Sequence, residues 1–243
     1  MFRTLLMAGG VGGPGYVPGM LMHLDGIDNV GAGSPDPSAE FWKDLTGNGF
    51  DAVPRERYGN PPLWSENGGL LGDGDSRILK IADDLSPLAG CSEFTIELAY
   101  DFPSSGTAWW LNTREPWNDS DTTGIQFATY GSTEIGVSWW NGPNGAEGEI
   151  AVPSATSCHT LAFTYANGVA AVYADGSPVA STEVRLTSEQ IGSTPFYING
   201  AGALGAFSMS DGFRILGVRV YPRALGSGDL AKNSAIDMER YFN

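Results

Sequence analysis

The sequence predicts an all-β protein, an antiparallel two-sheet sandwich with a short C-terminal helix. Three observations carry this. Short runs of period-two alternation recur along the chain, as in "FTIELAYDF", where Phe94, Ile96, Leu98 and Tyr100 alternate with Thr95, Glu97, Ala99 and Asp101. Turn dipeptides punctuate these runs at Asn141-Gly142, Asn144-Gly145, Asn167-Gly168 and Asp175-Gly176. Charged residues are only 17% of the 243, against 34 glycines and 15 prolines, which favours many turns over long solvated helices.

In chain order, residues 1–19 read as a Gly-rich N-terminal arm, and residues 20–243 as one domain with no internal repeat. Within the arm, Leu5 to Ala8 falls short of the roughly 7 to 15 apolar residues of a secretory core, so no signal peptide is expected. "MLMHLD" is the first strand-like run; "GIQFATYG", "EIGVSWW", "EIAVP", "PFYING" and "FRILGVRVYP" are others. "HTLAFTYANGVAAVYADGSPVAS" reads as a three-strand meander. In the last run, Val218 and Val220 share a face and Arg219 between them points the other way. "LTSEQI" is a candidate single helical turn. The closing "LGSGDLAKNSAIDMERYFN" is the best helix, with Ser234 and Asp237 in capping-box spacing and Ile236, Tyr241 and Phe242 as docking residues.

Bulk properties exclude several functions. Hydrophobic residues at 42% support a packed core, and 13 basic against 28 acidic residues give a net charge of −15. A field of that sign repels phosphate backbones, which excludes nucleic acid as a partner and disfavours anionic membrane surfaces. No apolar run approaches the roughly 20 residues needed for membrane insertion. Cys91 and Cys158 each precede a strand-like run, and their spacing leaves a disulfide and two free thiols equally open.

Several segments, in order, resemble the laminin-G-like and concanavalin A-like jelly-roll superfamily. "WKDLTGNGFDA" is similar to the family's "W-x-D-x-S-G-N-G-x-D" segment, and "GGLLGDGDSRI" to its "L-x-F-D-G" strand and turn. "FTIELAY" resembles its "FTIE-x-W" strand, and "HTLAFTYANGVAAVYADGSPV" its "WHHVAVTYDG…LYVDG" pair. "ILGVRVYPRALGSGDLAKN" resembles the closing strand and helix start. One departure is Cys158, which stands where the family carries a tryptophan and leaves His159 as a strand-edge residue. The resemblance implies a jelly-roll sandwich, a fold that hosts lectins, glycosidases, adhesion modules and virion proteins.

Catalytic constellations are sparse. A glycosidase needs two carboxylates flanking a scissile bond. Glu97 and Asp101 share a strand face, but Ala99 stands where the jelly-roll hydrolases carry a third acid; Glu147 and Glu149 are again only a pair. The two histidines and the lack of a G-x-S-x-G segment argue against a nucleophilic triad. The expectation is therefore a domain that is not an enzyme. For metals, "DLTGNGFD" offers Asp44, Asn48 and Asp51 as calcium ligands, near the turn where related domains often hold Ca2+. The competing reading is an Asx-turn in which Asp44 and Asn48 bind their own backbone. Asp73 and Asp75 form a weaker acidic cluster.

Two adjacent Trp pairs point to a ligand face. Neighbouring residues on a strand face opposite sides, so one ring of each pair is expected outward. Ile135, Val137 and Trp139 share the inward face, which leaves Trp140 outward beside Asn141. Trp109 is expected to share a face with Leu111, leaving Trp110 outward, with Trp117 on a rim loop. Outward rings flanked by amides and acids suit sugars, whose CH faces stack on indoles, though they equally suit a subunit contact. The resulting expectation is a lectin-like recognition domain that binds glycans or other virion or surface proteins. Its implied setting is extracellular, as a homo-oligomer in a phage virion. The rivals are a purely structural virion subunit (capsid decoration, fibre or baseplate) and a glycoside hydrolase with an unfamiliar acid pair.

Overall fold

The computed structural model describes residues 15–55, 60–74, 77–81, 87–88, 91–102, 106–113, 123–141, 146–184, 186, 196–200, 209 and 211–243. Within these, the strands are β1 (Met22–Asp25), β2 (Ala52–Pro54), β3 (Leu70–Leu71), β4 (Leu79–Ile81), β5 (Phe94–Asp101), β6 (Gly106–Asn112) and β7 (Thr123–Ser132). Then follow β8 (Ile135–Asn141), β9 (Ala146–Val152), β10 (Thr160–Ala166), β11 (Val169–Ala174), β12 (Ser177–Glu183), β13 (Tyr197–Ile198), β14 (Arg214–Tyr221) and the helix α1 (Ser227–Phe242). They form two antiparallel sheets. The first runs β1-β14-β5-β10-β11-β12, with β3 also on β14; the second runs β2-β4-β13-β6-β7-β8-β9. This is the jelly-roll sandwich with a C-terminal helix that the sequence predicts. The expected turn "LTSEQI" falls mostly outside the described residues.

Alternation decides which side of each strand fills the core. Phe94, Ile96, Leu98 and Tyr100 of β5 face inward, as do Leu161, Phe163 and Tyr165 of β10 and Val218 and Val220 of β14. From the second sheet come Ile125, Phe127, Ile135, Val137 and Trp139. The Trp139 ring lies against Gly148 of the neighbouring β9, where an added Cβ would come within 2.2 Å of its Cζ2. Cys91 and Cys158 are free thiols packed against this core.

The outer face of the first sheet is covered by α1, and the contact is polar. The helix buries Leu230, Asn233, Ser234 and Asp237, a stripe at i, i+3, i+4 and i+7 with one apolar member. Beneath it Arg219 is 1% exposed. Its Nε donates to Glu97 Oε2 at 2.8 Å, and its two Nη atoms donate to the Asp237 carboxylate at 2.7 and 2.5 Å. Asn233 Nδ2 donates to Glu97 Oε2 and to the Tyr221 hydroxyl, each at 2.9 Å. Ser234 and Asp237, read from sequence as a helix start, therefore lie inside the helix, which begins at Ser227 after Gly226.

The N-terminal boundary also moves. Tyr16 and Val17, expected in the arm of residues 1–19, are buried. The Tyr16 hydroxyl donates to Asp237 Oδ1 at 2.7 Å, its ring sits 4.4 Å from the Arg219 guanidinium, and Val17 N–H donates to Asn233 Oδ1 at 2.9 Å. This strap is part of the domain. Its ring also meets His23 edge-on at 5.4 Å, and Asp25 Oδ2 lies 2.7 Å from Arg240 Nε of α1.

On one flank of the sandwich, residues 42–52 close both sheets. Asp44 Oδ1 accepts the His23 N–H, Leu45 N–H donates to His23 O, and Asn48 Nδ2 donates to Leu21 O, so the free edge of β1 is occupied. Trp42 and Ala52 exchange both backbone hydrogen bonds at 2.8 Å and close β2.

Two outcomes test this packing. Gly148→Ala should lose about 1–3 kcal/mol in urea denaturation through overpacking against Trp139. Gly228→Ala, in open space on the helix, should instead gain about 0.5–1 kcal/mol. Similar small changes at both sites would mean that the indole is not seated on Gly148.

The second outcome concerns pH. Burial pushes His23 down from 6.5 to about 3, and Arg219 and Arg240 add to this while Asp237 and Asp28 oppose it. The unfolded chain therefore takes up this proton first. The stability contributed by neutral His23 is intact above pH 6.5 and is lost as pH falls from there toward 3, by up to about 1.4 kcal/mol per pH unit. Burial raises Glu97 despite Arg219, which offsets part of the loss near the carboxylate range. His23→Phe, which keeps the ring, should flatten the denaturation free energy between pH 6.5 and 5. An unchanged slope would remove His23 as its cause.

Candidate functional site

The outer face of the second sheet carries the candidate site. Strand register aligns one residue from each strand into a row: Lys80, Tyr197, Asn112, Gln126, Ser138 and Glu149. A second row beside it runs Trp109, Ala128, Gly136 and Ala151. Trp140 stands on the same face opposite Gly124. The first row is an aromatic–amide–hydroxyl–carboxylate series, and the second is flat apart from the Trp109 ring at its end.

Burial falls across this face. Tyr197, Asn112 and Gln126 are buried, and the Arg55 guanidinium lies 5.4 Å over the Tyr197 ring. Ser138 is also buried, at 8% exposure, whereas Trp140 is half-buried and Glu149 and Ala151 are exposed. Glu149 rests against Gly136, where an added Cβ would come within 2.6 Å of its Oε1. The accessible end is therefore the β8–β9 platform of Gly136, Trp140, Glu149 and Ala151.

The predicted tryptophans divide. Trp139 is inward and Trp140 outward, as alternation requires. In the other pair the assignment reverses: Trp110 is fully buried against Tyr100, Phe102 and Phe213, with ring centroids 5.3, 5.5 and 5.6 Å away. The reason is a bulge. Trp109 pairs with Ala128 and Leu111 pairs with Phe127, so Trp110 is the extra residue and both it and Leu111 turn to the core. Trp109 is the outward ring, packed on Ala128. Trp117 lies outside the described residues; Asn141 ends β8 in register with Thr123. Sequence reasoning missed Gln126, Ser138 and Glu149 as a row. The signal was present in "GIQFATYG", where Gln126 separates Ile125 from Phe127.

The acid pair weighed from sequence is committed elsewhere. Glu97 is held by Arg219 and Asn233 beneath α1, and Asp101 pairs with Arg214 at 2.6 Å. Both lie on the first sheet. Asp73 pairs with Arg77 at 2.5 Å, and Asp75 lies outside the described residues.

The hydrogen bonds of Asp44, Asn48 and Asp51 do not fit a calcium ion as they stand. Asp44 is 2% exposed. Its carboxylate accepts from His23 N, Thr46 N, Thr46 Oγ1 and Phe50 N. Asp51 accepts from Asp44 N and from Lys43 Nζ, and Asn48 turns its amide N–H toward Leu21 O. A cation here would displace donors already in place. Among the described residues no group of three or more His, Cys, Asp or Glu is arranged to hold a metal. The turn is an Asx-type scaffold whose work is to close β1.

Comparison with known proteins agrees with this fold. Residues 73–231 match the laminin-G-type family described as the concanavalin A-like lectin/glucanases superfamily, and the chain belongs to that superfamily. No curated protein sequence matches it. Among solved structures it is similar to a Trypanosoma rangeli sialidase, at TM-score 0.64 and 18% identity over 93% of this chain and 34% of that one. It is also similar to the receptor-binding domain of botulinum neurotoxin type G, at 0.60 and 12% over 90% and 51%. The ligand-binding domain of serotype D in complex with N-acetylneuraminic acid aligns at 0.59 and 10% over 89% and 50%. The chain thus spans about a third of the sialidase and about half of the toxin domains. At these identities the likeness is one of fold. The expectation that the chain is not an enzyme is corrected: the superfamily includes glucanases, and sialidases stand among the structural neighbours, one of them as a covalent intermediate.

The Asx scaffold gives a direct test. Asp44→Ala should cost about 2–4 kcal/mol in thermal or urea unfolding, because several buried donors lose their acceptor. The wild-type midpoint should be the same in calcium and in chelator. A calcium-dependent rise abolished by Asp44→Ala would show instead that a cation reorganises the turn.

Proposed function

We propose that this chain recognises carbohydrate on the outer face of its second sheet, at the β8–β9 platform. The observation that carries the reading is Trp140 standing half-buried on the same face as the exposed Glu149, with the buried Ser138 between them in the outward row. An indole face accepts the CH surface of a pyranose, and an adjacent carboxylate and hydroxyl take its hydroxyls. Gly136 and Ala151 leave the surface flat, so a ring can approach the sheet closely. The buried Asn112 and Gln126 continue the row and fix the strands that present it. The fold shared with a toxin domain bound to N-acetylneuraminic acid supports this reading and puts sialylated glycans among the first ligands to try.

The test is a glycan-array screen followed by calorimetry and product analysis on the hits. Trp140→Ala should weaken binding at least about tenfold, equivalent to about 1.4 kcal/mol, with a small change in melting. Glu149→Gln should weaken it less. The product analysis reports turnover in the same samples. Equal binding by wild type and Trp140→Ala, or no glycan bound at all, would end this reading.

A further inference from the structure

Of the four platform residues, Gly136, Trp140, Glu149 and Ala151, Glu149 alone is charged. Acids elsewhere are matched within the protein: Glu97 and Asp237 meet Arg219, Asp101 meets Arg214, and Asp25 meets Arg240. No hydrogen bond or ion pair reaches the Glu149 carboxylate from a described residue. Its position is nonetheless set. It lies over the half-buried Gly136, in space that a side chain there would take, with Oε1 2.6 Å from the position of an added Cβ. The bases of the same face, Lys80 and the Arg55 that covers Tyr197, are at the far end of the sheet. Lys80 is five strands from Glu149 in the order β4-β13-β6-β7-β8-β9, about 24 Å at the usual spacing of about 4.8 Å. That is about three Debye lengths at physiological salt, so these bases do not neutralise the platform.

We propose that the ligand of this platform is a de-N-acetylated amino sugar, an oligosaccharide of 2-amino-2-deoxyhexose units with an ammonium seated at Glu149. This rests on the carbohydrate site described above and adds the charge of its ligand. Gly136, Ser138 and Trp140 follow one another on the outward face of β8, at two-residue steps of about 6.6–6.8 Å. The carboxylate over Gly136 and the indole of Trp140 therefore mark the ends of a stretch of about 13 Å. A single pyranose ring is too short to meet both, whereas a chain lying along the strand reaches them together. At one end the CH face of a ring stacks on the indole. At the other a protonated amine supplies the counter-ion that no described residue supplies, in a charge-assisted hydrogen bond. An N-acetyl group removes that charge, and a carboxylate on the sugar opposes it. The net charge of −15 acts in the same sense during approach, attracting a cationic glycan and repelling an anionic one.

Calorimetry with glucosamine hexamer, N-acetylglucosamine hexamer, cellohexaose and sialyllactose tests this, at about pH 6, where an alkyl amine is protonated and a carboxylate ionised. Salt is held at about 0.15 M to screen distant charges. Wild type should bind glucosamine hexamer about fivefold more tightly than the N-acetylated hexamer, the upper range for an exposed ion pair. Sialyllactose should bind least. Glu149→Gln should erase the preference without weakening the N-acetylated hexamer, and Glu149→Lys should reverse the order of the two. Melting should be unchanged at this exposed position. Glu239→Gln removes the same charge from the exposed side of α1, across the sandwich, and should leave the preference intact. Trp140→Ala should weaken both hexamers alike. If Trp140→Ala weakens binding while wild type treats the hexamers equally or prefers sialyllactose, the carbohydrate site stands and the ammonium contact is overturned. A preference lost equally in Glu239→Gln would also overturn it, since net charge alone would then be its source. Binding of none of the four would overturn the site and its ligand together.

Discussion

The buried guanidinium of Arg219 organises much of this molecule. It sits on β14, which pairs with β1, β3 and β5, and it reaches across to Glu97 on β5, Asp237 on α1 and the Tyr16 ring of the N-terminal strap. Breaking such a pair from one side leaves a buried charge uncompensated, at a cost of about 3–5 kcal/mol. The helix depends on it especially. α1 has no side-chain N-cap, and the stripe it buries is mostly polar, so neither capping nor an apolar face alone explains its docking. A smaller apolar cluster of Val17, Ala162, Tyr221, Leu225 and Leu230 completes the contact. The strap at Tyr16 and Val17 and the helix α1 are thereby fixed to the same sheet face by one ion-paired network.

That use of the first sheet determines where a ligand can go. With its outer face under α1 and the strap, its acids are spent on structure, Glu97 on Arg219 and Asp101 on Arg214. The second sheet has no such helix among the described residues, and its outward row is polar. Amides and hydroxyls line up in register from β13 to β9, with Trp109 and Trp140 on the same side. One face is therefore committed to the helix and the strap and the other carries the outward polar row, although a single alternating pattern in the sequence generates both.

The edges follow a similar economy. Asp44 was legible as a special residue, because a carboxylate in a Gly-containing turn reads equally as a metal ligand or as an acceptor for backbone amides. The decision between them lies in what the chain brings to it. Here that is the edge of β1, whose His23 N–H and Leu21 carbonyl are satisfied by Asp44 and Asn48. A local motif does not announce the distant strand it will serve.

Alternation made the core of β5, β10 and β14 readable in advance, along with the meander at Asn167-Gly168 and Asp175-Gly176 and the outward turn of Arg219. What it could not reveal was the partner of Arg219. Glu97 reads as half of an acid pair until β5 and β14 are set in register, where Arg219 falls directly opposite it. The tryptophans show the same limit at closer range. "TAWWL" and "SWWN" look equivalent, and in both a shift of register interrupts the ladder beside the rings. Beside β8 the extra residue, Glu147, lies on β9, so Ile135, Val137 and Trp139 keep their shared face. In β6 it falls on Trp110 itself, and the ring enters the core among Tyr100, Phe102 and Phe213. Those three residues come from β5, the residue that follows it and the approach to β14, far apart in sequence. A pocket assembled from them draws the indole inward against local alternation, and Trp109 takes the outer position in its place.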